Sequence, residues 1–175
     1  MRAGGGEVFA QTKAPEKPYG AVLVGGTLLV IVGDADDNRS IRTYNLGQTF
    51  TTTSVRCPND TGNFLAHDGT SLYVSQRYDQ LFVRVDSEGK PVQTTPMPRQ
   101  VVGVTYLDAS FYLLTTDGSL ADDDIRFARM TLGADGPTIT ELARVPFGAR
   151  SLAYDGTNFW TSWREKDLIV AFSLP

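Results

Sequence analysis

"LAHDGTSLYVSQRYDQLFVRV" (Leu65–Val85) and "LAYDGTNFWTSWREKDLIVAF" (Leu152–Phe172) are two copies of one phrase, aligned without a gap at an offset of 87 residues. Leu65, Ala66, Asp68, Gly69, Thr70, Ser75, Arg77, Leu81 and Val83 recur as Leu152, Ala153, Asp155, Gly156, Thr157, Ser162, Arg164, Leu168 and Val170. Elsewhere apolar residues exchange for apolar ones: Leu72 with Phe159, Tyr73 with Trp160, Phe82 with Ile169, Val85 with Phe172. Each copy reads as strand, tight turn, strand, loop, strand. The Asp-Gly-Thr centre supplies a residue tolerant of positive φ where antiparallel strands reverse, and the flanks are rich in aromatic and β-branched residues.

Two further units frame these copies. "GAVLVGGTLLVIVGDADDNRSIRTYNL" (Gly20–Leu46) and "VGVTYLDASFYLLTTDGSLADDDIRFARMTL" (Val102–Leu132) correspond to each other, with Ala35-Asp36-Asp37, Leu46 and Gly47 recurring at an offset of 86 as Ala121-Asp122-Asp123, Leu132 and Gly133. The chain is therefore a duplicated two-unit block. A fourth strand for the first three units is expected at Thr49–Pro58, Gly89–Pro98 and Gly136–Pro146. The last unit has no room for one, but "GEVFAQTKAP" (Gly6–Pro15) copies the pattern of "GKPVQTTPMP" at the other terminus.

Four-stranded units at this period predict an all-β chain folded as a β-propeller of four four-stranded blades. The expected blades are about 16–58, 59–98, 99–146 and 147–175 plus 6–15, with 1–5 as a flexible tail. The N-terminal strand closes the last blade and so removes an open sheet edge. The alternative is an eight-bladed ring made by two chains exchanging that strand, which keeps closed symmetry. Central strands such as "LLVIV" and "FYLLT" are apolar on both faces, as burial on both sides demands. Trp160 is expected in the core between blades.

The phrase "LAYDGTNFWTS" (Leu152–Ser162) is similar to blades of the broad secreted bacterial propeller families, including NHL, YncE-like and glutamine-cyclotransferase-like proteins. The resemblance implies architecture and a secreted or periplasmic setting. "MRAGGGEVFAQ" shows no signal-peptide pattern, so the residues themselves leave the compartment open.

Composition narrows the function. A net charge of -4 and no basic run longer than two residues exclude a general nucleic-acid binder. The longest apolar run, Leu28–Val32, is far short of a membrane span. Cys57 is the single cysteine, so no disulfide forms within the chain. His67 is the single histidine. It precedes the Asp-Gly turn, away from the predicted ligand face, where a turn role is expected, and Ser-His-Asp or Cys-His nucleophile schemes lose their base. Asp68 and Asp155 are expected to cap the amides of their own turns. Zinc is less expected than calcium, given one His and one Cys in the chain. No cofactor is expected; calcium is the one metal the Asp34–Asn38 cluster admits, although Arg39 and Asn45 break the EF-hand pattern.

In propellers resembling this one, ligands meet the channel mouth, on loops joining second to third strands. Here these loops carry Asp36 and Asp37, then Arg77 and Tyr78, then Asp122 and Asp123, then Trp163 and Arg164. The arginines offer planar forks to carboxylate or phosphate, and Tyr78 or Trp163 a stacking surface. The first functional expectation is a non-catalytic binding or assembly module for a polar small molecule, glycan or protein segment, acting as a monomer or an exchanged homodimer. The alternative is an enzyme of lyase, lactonase or cyclotransferase type using Asp36, Asp37, Asp122 and Asp123 as acid, base or metal ligands.

Overall fold

The computed structural model describes residues 13–14, 16–35, 37–45, 50–118 and 124–174. Its strands form four antiparallel meanders in chain order. Blade 1 contains β1 (Pro18–Val24), β2 (Thr27–Val32), β3 (Ser40–Asn45) and β4 (Phe50–Arg56). Blade 2 contains β5 (Phe64–His67), β6 (Leu72–Gln76), β7 (Leu81–Val85) and β8 (Pro91–Pro96). Blade 3 contains β9 (Gln100–Leu107), β10 (Ser110–Thr116), β11 (Ile125–Gly133) and β12 (Gly136–Val145). Blade 4 shows β13 (Ala149–Tyr154), β14 (Phe159–Trp163) and β15 (Leu168–Phe172). Most of the segment expected to complete it, 6–15, lies outside the described residues.

The inner strands β1, β5, β9 and β13 surround one axis, and residues from all four line a common cavity at its lower end. The protein is thus a four-bladed β-propeller within a single chain.

Alternation along the strands decides which blade each side chain meets. Tyr73 and Phe82 point toward blade 3 and join Phe111, Leu113 and Met130 in one buried cluster. Val74 and Val83 point the other way, joining Ile31, Ile41 and Cys57 of blade 1. Tyr112 and Leu114 face blade 4, where they meet Phe159 together with Phe127 of their own sheet. This explains why β10 is buried at every residue. Trp160 is a correction: it is half-buried rather than core, because its strand neighbour Phe159 takes the buried position.

Register confirms the duplication. Ala21 pairs with Val30 and Pro18 with Val32 in blade 1, and Val104 with Leu113 and Val101 with Thr115 in blade 3, with a register shift at the same place in both. Gly20 and Gly103 are equivalent on this register. A Cβ on Gly20 would lie 2.5 Å from the Asn63 carbonyl oxygen, and one on Gly103 2.7 Å from the Ser151 carbonyl carbon. Glycine is required there because neighbouring inner strands approach backbone to backbone.

Candidate functional site

The upper end of the channel, where inner strands begin and second-to-third strand loops fold over, holds a recess of about 380 Å³. Three residues expected at the mouth, Arg77, Tyr78 and Arg164, line it together. Lys17, Tyr19, Arg39, Asn63 and Arg150 also line it. The sequence does not single out these five: Lys17 and Asn63 precede inner strands, Tyr19 and Arg150 lie near the start of theirs, and Arg39 ends the acidic β2–β3 loop, where the neighbouring aspartates dominate the pattern. One signal was available: the 87-residue offset that relates Arg77 to Arg164 also relates Asn63 to Arg150.

Each cation is held differently. Arg39 is 3% exposed; its guanidinium donates to the Gly62 carbonyl at 2.5 Å and lies 3.8 Å over the Tyr19 ring. Arg77 donates from Nε to Oε1 of Gln100 at 2.9 Å, while its backbone amide donates to the Asn63 side chain at 2.9 Å. A 3₁₀ turn, Arg164–Lys166, carries Arg164, and Asp167 ends it in the left-handed region. Gln80, the counterpart of Asp167 in the first copy, has the same positive φ of 52°. The two arginine loops therefore share one backbone shape. Lys17 lies 5.6 Å from the Tyr19 ring centroid, and Tyr78 is 65% exposed.

Asp37 lines an adjoining recess with Asp79, and the two recesses share Arg39, Asn63, Arg77 and Tyr78. Trp163 stacks on Phe147 with centroids 4.7 Å apart and is not among the residues lining either recess. Asp36, Asp122 and Asp123 lie outside the described residues. Asp124, at the edge of that segment, pairs with Arg99 and Arg126. Hydrogen bonds from Arg99 and then Arg126 hold its carboxyl below the usual carboxylate range. That is the opposite of what a general acid needs. Among the described residues no group of three or more His, Cys, Asp and Glu is placed to hold a metal ion.

The remaining candidate chemistry sits elsewhere. His67 accepts a hydrogen bond from the Gly69 amide through Nδ1, as a turn residue. Burial pushes the Cys57 thiol up to about 12, so it is an inert core residue rather than a nucleophile.

No protein-family model matches the sequence, and no curated protein does. Solved structures match the fold. Glutaminyl cyclase of Myxococcus xanthus is 16% identical at a TM-score of 0.65, with 89% of this chain covering 65% of that one. A streptogramin B lyase is 16% identical at 0.54, with 94% of this chain on 57% of that one. The computationally designed protein Ika4 is 7% identical at 0.55, with 98% of this chain on 99% of that one. The chain thus spans less than two thirds of the cyclase and the lyase. Such likenesses define a β-propeller; its neighbours include enzymes and non-enzymes, so the fold leaves the activity open.

Proposed function

We propose that the protein is a binding module that takes a polar small molecule into the recess at the channel mouth. The observation that carries this reading is the convergence of Arg77, Tyr78 and Arg164, from two blades on opposite sides of the axis, on one cavity. Guanidinium forks supply directional donors and an exposed tyrosine ring supplies a stacking surface. A recess of this volume suits a small ligand.

The enzyme reading depends on carboxylates of which Asp36, Asp122 and Asp123 lie outside the described residues, and the one described member, Asp37, opens onto the adjoining recess. The binding reading is the one that the described lining of the mouth recess supports. Its test is calorimetric titration of the protein with neutral sugars, zwitterions and carboxylates. At least one class is expected to bind, with affinity falling about tenfold or more in Arg77→Ala and in Arg164→Ala, as for loss of a charged hydrogen bond. Binding unaffected by both substitutions would move the site away from the mouth.

A further inference from the structure

The recess is built on a two-fold repeat that is broken at one position. Arg77 and Arg164 are equivalent in the 87-residue repeat, and strand register makes Lys17 equivalent to Gln100. The Gly33 amide donates to the Lys17 carbonyl at 3.1 Å, where Thr116 faces Gln100 in the other half. In that other half the amide oxygen of Gln100 accepts from Arg77. In the first half the same position carries Lys17, which has only donors to offer. Arg164 therefore shares the recess with a second cation where its twin has an acceptor. No hydrogen bond or ion pair to the Arg164 guanidinium or the Lys17 ammonium is present among the described residues.

We propose that this substitution creates a site for a compact polyanion, a small molecule carrying two or more carboxylate or phosphate groups. This rests on the binding reading above and names its ligand class. One oxyanion group bridges Lys17 and Arg164; a second engages the outer nitrogens of Arg77, whose Nε is already held by Gln100. Arg39, pinned beneath Tyr19, adds positive potential from the wall. The carboxylates of Asp37 and Asp79 line the adjoining recess, which shares Arg39, Asn63, Arg77 and Tyr78 with this one, and disfavour an anion there. In a chain with a net charge of -4, this concentration of cations focuses the local field against the overall charge.

The test is calorimetric titration with citrate, inorganic pyrophosphate, glucose and glycine at two salt concentrations, on the wild type and on Lys17→Gln. That substitution rewrites the first half as a copy of the second, and Lys17 is exposed, so the fold is expected to survive; an unchanged thermal midpoint verifies this. Citrate or pyrophosphate is expected to bind, with affinity falling as salt rises and dropping about tenfold or more in Lys17→Gln. The two anions separate a carboxylate from a phosphate source. Glucose or glycine binding without the anions, or anion binding indifferent to Lys17→Gln, would overturn the polyanion assignment while leaving a binding module. Absence of binding by all four would overturn both.

Discussion

At the scale of single residues, the repeated Asp-Gly-Thr turn is a small hydrogen-bonding device made twice. Oδ1 of Asp68 accepts from the amides of Thr70 and Ser71 at 2.8 and 2.7 Å, and Oδ1 of Asp155 from Thr157 and Asn158 at 2.9 and 2.8 Å. The other oxygen of each receives an aromatic donor five residues on: the Tyr73 hydroxyl at 2.9 Å and the Trp160 indole at 2.7 Å. Tyrosine and tryptophan interchange here because both reach the carboxylate with a polar tip. Burial alone would raise the Asp68 carboxyl, but the Ser71 and Thr70 amides and the Tyr73 hydroxyl outweigh it and hold it below the usual range. The Asn158 amide, the Trp160 indole and the Thr157 amide do the same for Asp155. Burial and then the Asp68 carboxylate push the Tyr73 hydroxyl up to about 12, so it stays a donor at neutral pH. A carboxyl with a depressed folded pKa contributes stability above its unfolded value, and that contribution is lost as pH falls through the folded one. Thermal midpoints measured across pH are therefore expected to fall below about pH 4. The paired Asp68→Asn and Asp155→Asn variant should start lower at pH 7 and fall less steeply; an equally steep acid limb would place the titrating groups elsewhere.

At the scale of elements, sheet packing rests on positions where side-chain direction and backbone proximity coincide. Phe159 is 1% exposed and lies against Tyr112, Phe127 and Phe172 at centroid distances of 5.0, 5.1 and 5.7 Å. Phe159→Ala is expected to cost about 3–5 kcal/mol in chemical denaturation. Trp160→Ala should cost clearly less, since Trp160 is only partly buried. Equal costs would contradict the assignment of the inward face. Gly103→Ala tests the inner strands: its new Cβ would meet the backbone of Ser151 and Leu152 inside 3.0 Å, so β9 and β13 must separate. A lowered thermal midpoint with a weakened mouth site is expected, because Val102 and Arg150 line the recess on either side of that contact. β15 is another such element, with Ile169 75% and Leu168 50% exposed. The sequence assigns 6–15 to its edge, so removal of residues 1–15 is expected to lower the midpoint; an unchanged value would remove that assignment.

At the scale of the whole molecule, four inner strands of one chain surround one axis. Light scattering is expected to give the mass of one chain, 19.1 kDa, and twice that mass would revive the exchanged pair. The ring is also what creates the mouth recess. Lys17, Arg77 and Arg164 are far apart along the chain and belong to three different blades, and they meet only because the blades turn the same end toward the axis.

The duplicated phrases by themselves determined the strand order, the Asp-Gly turns, the blade number and the equivalence of Arg77 with Arg164, because these depend on local period and on repetition. They also directed attention to Tyr78. They did not reveal Lys17 or Arg39, which lie just outside strands and carry no periodic mark, and they marked Arg150 only through its repeat partner Asn63, because the neighbours of such residues are set by the packing of adjacent sheets. Nor did they show that Trp163 would turn onto Phe147, or that Trp160 would serve its turn rather than the core. Tertiary structure decided those points, because the direction of a side chain at a strand end depends on register shifts and on the sheet beside it.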